Sequence, residues 1–128
     1  QDIMLPPVSV EQETTVQDAI TSLFMYDIGT LYIVDEAKNL IGVVSRKDLL
    51  RSVSMGNMQT SPVAVVMTRM PNIFVAYPEM LVVQAAKSIS RHQVDSLPVM
   101  KEQGSRQIIG KVSKTALVNL LIDLTDEE

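Results

Sequence analysis

The stretch Ile41–Leu50, IGVVSRKDLL, sets a glycine and two valines ahead of an abrupt change to polar residues. It reads as a buried strand running directly into a helix, with Ser45 at the junction and Asp48 in the first helical turn. A second stretch, Ile109–Val118, reads IGKVSKTALV and writes the same junction again. There Ser113 takes the place of Ser45, and Ala116 the place of Asp48. The fold therefore follows from one unit written twice, and the unequal acid is the first pointer to function.

Outward from the junction the repeat continues. Val16, Ala19, Leu23, Ile28 and Leu31 have counterparts in Val82, Ala85, Ile89, Val94 and Leu97, and Gly42 in Gly110. The offset changes only between the paired strands, Asp35–Leu40 against Lys101–Ile108, where a hairpin turn absorbs it. Further upstream, IMLPPVSV echoes VMTRMPNIFV. In each copy a short strand, Val8–Val10 or Ile73–Val75, leads to a helix. Val16, Ala19, Ile20, Leu23 and Phe24 share one face of the first helix, and Val82, Ala85, Ala86 and Ile89 one face of the second. Thr15 with Asp18 is a capping-box-like start.

The runs TLYIVD and IGVVS, parted by EAKN, predict a hairpin, as do SLPVM and IIGKVS around KEQGSRQ. A closing helix follows each, from Arg46 to about Met55 and from Lys114 to about Leu124. Ser61-Pro62 marks a further helix start with proline at its first position, and MGNMQT ahead of it reads as a linker. The expected fold class is α/β (α+β). Two pseudo-symmetric β-α-β-β-α modules, residues 1–58 and 59–128, would pack sheet to sheet and leave a cleft between them.

At 128 residues, 46% hydrophobic and 20% charged, the chain can build such a core. A net charge of −4 gives no general attraction to phosphate backbones, so no direct nucleic-acid binding is expected through this chain. The lack of cysteine and the single histidine, His92, exclude thiol nucleophiles, disulfide frameworks and zinc sites, and no metal site is expected. His92 has no acid or nucleophile partner by spacing, and catalysis is not expected. The eight methionines read as core filler. No apolar run approaches the ~20 residues of a membrane span, and a cytoplasmic location is expected. The chain opens at Gln1, close to a repeat unit, which predicts a piece of a longer protein.

Residues 1–50, ending in VDEAKNLIGVVSRKDLL, resemble a CBS module, the cystathionine-β-synthase-type regulatory repeat, and residues 67–124 resemble a second. The resemblance implies a pair that binds adenine nucleotides or S-adenosylmethionine and regulates an attached domain. It also implies that a Gly-apolar-x-Ser/Thr-x-x-Asp segment supplies ribose and phosphate contacts. Gly42-Val43-Val44-Ser45-Arg46-Lys47-Asp48 matches that segment. The physical logic agrees. A strand ending at a helix start aims free N–H groups and a positive dipole at one spot. Asp48 offers two acceptor oxygens to a pair of vicinal hydroxyls, while Ser45 and Lys47 suit phosphate oxygens. Charged hydrogen bonds of this kind contribute roughly 1.5–3 kcal/mol each.

The same Ser45 and Asp48 form a capping box, worth about 1 kcal/mol without any ligand. The second copy keeps the cap residue Ser113 and drops the acid, so the junction itself does not demand it. A ligand role for Asp48 is favoured, with capping as a secondary benefit.

The family's geometry carries the opening of the second repeat to the same cleft. Thr68 or Arg69 would meet ribose or phosphate, and the backbone near Ile73 the adenine edge; Asn72 belongs to the same binding stretch. Phe74 reads equally as core or as ligand contact, and Arg91 and His92 stand where phosphate-binding residues are placed in some relatives. The twin cleft of Met4, Leu5, Val8, Ser113 and Thr115 lacks the carboxylate and is expected to bind more weakly. The expected ligand is an adenine nucleotide, with ADP or ATP favoured over AMP by Lys47, Arg69 and Arg91. Mg²⁺ would accompany ATP, and no resident cofactor is implied. The chain also resembles the C-terminal half of bacterial helix-turn-helix repressors of gluconeogenic genes. DNA would then be reached only through a domain outside this chain, and a homodimer would bury the closing helices. The alternatives are an S-adenosylmethionine sensor and a ligand-free dimerisation module.

Overall fold

The computed structural model describes residues 4–56, 59–70, 72–80 and 82–126; Asn57 and Met58 of the expected linker, and Pro71, lie outside them. The chain divides into two compact units, Val8–Ile73 and Gln1–Pro7 with Phe74–Glu128. The sequence repeats and the compact units thus divide the chain differently. Residues that precede each repeat join the unit built by the other one.

The first unit runs β1 (Ser9–Glu11), α1 (Val16–Tyr26), β2 (Thr30–Val34), β3 (Leu40–Ser45), α2 (Arg46–Ser54), a 3₁₀ turn at Val63–Val65, and β4 (Thr68–Arg69). Its sheet has the order β1-β2-β3-β4, with β1 parallel to β2 and the other pairs antiparallel. The core joins Val16, Ala19 and Leu23 of α1 to Leu31, Ile33, Val44, Leu49, Val63 and Met67. Full burial of a side chain such as Leu49 contributes about 1.5–3 kcal/mol. Thr15 caps α1 by accepting from the Asp18 N–H at 3.1 Å. Asp27, at φ 53°, ends it in the left-handed conformation.

Two expectations for this unit are corrected. Phe24 shares the predicted apolar face but is 60% exposed. Leu23 takes the core position; Phe24, rotated about 100° further round the helix, lies under the Arg46 guanidinium at 5.4 Å. Ser61-Pro62 opens no α-helix, only the single 3₁₀ turn, with Pro62 as its cap. The Val63 N–H donates to Thr14 O at 2.6 Å and the Val16 N–H to Ser61 O at 2.9 Å, tying the segment to the entry of α1. Valines at 63, 65 and 66 also resist continued helix, being stiff at χ1.

The second unit contains α3 (Val82–His92), β5 (Ser96–Met100), β6 (Ile108–Ser113) and α4 (Lys114–Asp126), with β5 antiparallel to β6. Ala76, Ala85, Ile89, Leu97, Val99, Val112 and Leu117 form its core. Leu5 extends the sheet beyond β6, exchanging two 2.8 Å backbone hydrogen bonds with Lys111.

The strand expected at Ile73–Val75 is absent, and a single bridge from Ala76 to Val99 stands near its place. The cause is Pro98. In the first unit the Tyr32 N–H donates to Val8 O at 3.2 Å and starts the β1–β2 ladder. Pro98 occupies the equivalent position of the repeat and has no N–H to give the carbonyl of residue 74. Pairing begins only at Ala76, whose N–H donates to Pro98 O at 2.8 Å and whose carbonyl accepts from Met100 N–H at 2.9 Å. Every residue of β5 is buried, and β2 is buried from Leu31 to Val34, so both central strands are covered on both faces.

Candidate functional site

Alternation along β3 sorts the candidate residues by face. Val44 lies in the core, so Val43 and Ser45 turn to the face away from the helices. Cross-strand partners share a face, and Tyr32, Val43 and Thr68 therefore form one row across β2, β3 and β4. Thr68 is exposed there. Arg69 pairs with Gly42 on the core face, and its guanidinium donates to Ala64 O at 3.2 Å. Of the two residues expected to meet ribose or phosphate, Thr68 is the one on the Ser45 face.

Gly42 itself is a packing requirement. A Cβ there would overlap the Met67 side chain and lie 3.0 Å from Thr68 O. Gly110 is held the same way, by Met4 and by Leu5 O at 3.0 Å. Met4 thus acts as the counterpart of Met67, pressed on the strand glycine from the core side.

At the helix start the capping box is complete. Ser45 Oγ accepts from the Asp48 N–H at 3.2 Å, and Asp48 Oδ2 accepts from the Ser45 N–H at 3.3 Å. Asp48 Oδ1 has no hydrogen-bond partner among the described residues. The side chain is half-buried, and Lys47 beside it is exposed. Arg46 turns away: its guanidinium donates to Ile28 O at 2.9 Å, and its Nε is buried without an acceptor. At the second junction only half a box exists, with Ser113 Oγ accepting from the Ala116 N–H at 3.0 Å.

The remaining candidates fall as follows. Ser45, Lys47, Asp48, Thr68, Arg69, Asn72 and Ile73 belong to the first unit; Phe74, Arg91 and His92 belong to the second. Phe74 and His92 stack with ring centroids 3.5 Å apart at 9°, so the structure brings these two together. Arg91 is exposed at the end of α3. Met4, Leu5, Ser113 and Thr115 lie in the second unit, whereas Val8 lies in the first, packed against its core. A groove of about 350 Å³ between α3 and α4 is lined by Ile89, Gln93, Lys114, Leu117 and Val118, among others, and holds none of these candidates.

One residue of the same class escaped the sequence reading. Lys111 replaces Val43 in the repeat, half-buried on the face that carries Ser113. Burial holds its pKa below the ordinary lysine value of 10.5. The signal was a cation inside an otherwise apolar strand. Among the described residues no cluster of His, Cys, Asp or Glu could hold a metal ion, and no helix is long and apolar enough to cross a membrane.

Comparison with known proteins bears on this geometry. The family profile described as "CBS domain" matches residues 1–55 and 63–123. The transcriptional repressor CcpN of Bacillus subtilis (strain 168) is 41% identical over 130 residues, covering 100% of this chain and 61% of that protein. The chain therefore spans about three fifths of that relative's length. Among solved structures, CBSX2 in complex with AMP is 25% identical with a TM-score of 0.80, covering 97% of this chain and 96% of that one. A CBS domain pair solved with 5′-methylthioadenosine and S-adenosyl-L-methionine is 24% identical with a TM-score of 0.81 and shows the same fold, over 94% of this chain and 96% of that one.

Proposed function

The chain belongs to the CBS domain family, and from that premise we propose that it is a regulatory module sensing an adenine nucleotide on behalf of an attached output domain. The observation that carries this reading is the half-used carboxylate of Asp48. Its Oδ2 closes the capping box, its Oδ1 is without a partner among the described residues, and the second junction does without the acid altogether. A carboxylate oxygen at a helix start suits ribose hydroxyls, with the phosphates toward Lys47. The AMP-bound relative supports the adenine class. Preference for ADP or ATP rests on Lys47 and Arg91, because Arg69 is engaged with Ala64 O. Mg²⁺ would enter with ATP, held mainly by phosphate oxygens.

Similarity to a transcriptional repressor supports a DNA-binding output domain outside this chain. The role is regulatory rather than catalytic, in the cytoplasm, and as a homodimer. Leu50 on α2 and Met55 at its end, and Val118 and Ile122 on α4, are exposed apolar residues that a partner helix would cover.

Thermal shift with AMP, ADP, ATP and S-adenosylmethionine tests the reading, since a ligand specific for the folded state raises its stability by mass action. A saturable rise with an adenine nucleotide, largely lost in Asp48→Ala, is expected. No rise with any nucleotide would overturn it. The complete capping box favours one rival, a ligand-free module in which Asp48 serves only the helix. That rival predicts a lower melting point for Asp48→Ala and no nucleotide response in either protein.

A further inference from the structure

The groove between α3 and α4 has a counterpart between α1 and α2, and the first unit covers that place with its own side chains. The backbones match: the Arg46 N–H donates to Gly29 O at 2.9 Å, and the Lys114 N–H to Asp95 O at 2.8 Å. In the first unit the Arg46 guanidinium reaches Ile28 O and lies over the Phe24 ring. In the repeat, Ile20, Phe24 and Arg46 become Ala86, Ser90 and Lys114. The aromatic ring is gone, and a groove of about 350 Å³ opens over Ile89, Leu117 and Val118.

The chain displays the missing kind of side chain at the end of α1. Phe24, Met25 and Tyr26 are 60%, 74% and 59% exposed there. Their counterparts on α3 are Ser90, Arg91 and His92, all polar. One helix end thus presents apolar knobs, and its twin a socket with a cationic rim. Charge selects the occupant. α1 and its cap carry Asp18 and Asp27 and no base, whereas α3 carries Lys87, Arg91 and His92 and no acid. Pairing like helices would oppose like charges. Setting α1 against α3 pairs opposite signs and offers Arg91 the face of Tyr26.

We propose that the α3–α4 groove receives the Phe24-Met25-Tyr26 end of α1 from a second copy of this chain. In a two-fold pair each copy gives one helix end and one groove, so the contact is made twice. The proposal rests on the homodimer of the reading above, adds which surfaces meet, and is independent of the nucleotide.

The native chain has no cysteine, so single cysteines can report the pairing. Met25→Cys and Ser90→Cys, both at exposed positions, are treated with a short bis-maleimide, separately and after mixing with one of them mass-tagged. Cross-linked product from the mixture, well above that of either variant alone, is expected. Ser90→Phe fills the groove as Phe24 covers its twin, and should weaken the dimer roughly tenfold or more in sedimentation. The first unit shows that this position accepts phenylalanine, so the variant is expected to fold. Cross-links mainly within Met25→Cys or within Ser90→Cys, or a dimer unaffected by Ser90→Phe, would overturn the proposal and leave the homodimer standing. A native chain that sediments as a monomer at every concentration would overturn the homodimer and this pairing together.

Discussion

The two units share a plan, and three of the equivalent positions at which they differ are instructive. Tyr32 against Pro98 decides whether the leading segment becomes a strand or a single bridge. Val43 against Lys111 decides whether the sheet face away from the helices is neutral or cationic. Asp48 against Ala116 decides whether the helix start carries a carboxylate. None of these changes alters the hairpin or the closing helix. The repeat separates what the fold requires, kept in both copies, from what one copy alone holds.

The glycines are the part kept, and breaking them should have the largest effect. Gly42→Ala drives a Cβ into Met67, which is only 8% exposed, and should cost about 1–3 kcal/mol by overpacking. Gly110→Ala meets Met4, which is 36% exposed and freer to give way, so its cost should be smaller. Urea denaturation of both variants checks the order. Equal costs would mean that the two methionines are held alike.

Asp48 and Ala116 test the second difference. Without ligand, Asp48→Ala should cost about 1 kcal/mol through the broken capping box. Ala116→Asp should return a few tenths to about 1 kcal/mol by completing the second box, since Ser113 is already in place. Melting points of the two variants read this directly. A destabilising Ala116→Asp would show that the second junction cannot seat a carboxylate.

Lys111 gives a smaller effect with a definite sign. Its pKa in the folded chain lies below 10.5, so the folded state binds fewer protons than the unfolded one as pH rises through that window. Native stability should rise there as the desolvated charge is lost. Lys111→Met should therefore be the more stable protein at neutral pH, with an advantage that shrinks toward pH 10.5. Urea midpoints measured along that range check it; an advantage that grows with pH would reverse the assignment. The smallest change in net stability belongs to Pro98→Val. It restores an N–H for the carbonyl of residue 74 but loosens the unfolded chain, two effects of similar size and opposite sign. Hydrogen exchange reads it better: the new amide at 98 should be protected as the Tyr32 amide is.

Much of this was legible in the sequence. The twin junctions, both hairpins, the helix starting at Val16 and the cap residues Ser45 and Ser113 were read directly from local pattern. The losses have specific causes. Phe24 sat at the edge of an apolar stripe, and periodicity cannot say where the stripe stops facing the core. Val63–Val65 carried a proline start, but its backbone groups go to Thr14 and Ser61, and nothing local reveals those partners. The strand at Ile73–Val75 failed because of Pro98, a residue visible in the sequence whose effect falls on a different segment.

What the sequence determined alone, then, is everything set by neighbours a few residues apart: the duplication, the helix starts, the turns and the alternation within each strand. The tertiary structure decided which segment joins which sheet, with Thr68–Arg69 closing the first and Leu5 the second. It also decided that Thr68 rather than Arg69 shares the Ser45 face, and that Lys111 lies between Leu5 and Pro98. The reason is register. Side chains alternate with a period of two, so a one-residue shift in a distant pairing moves every candidate to the other face. Such pairings are chosen by the packing of Met67 on Gly42 and Met4 on Gly110, contacts between residues far apart in the chain.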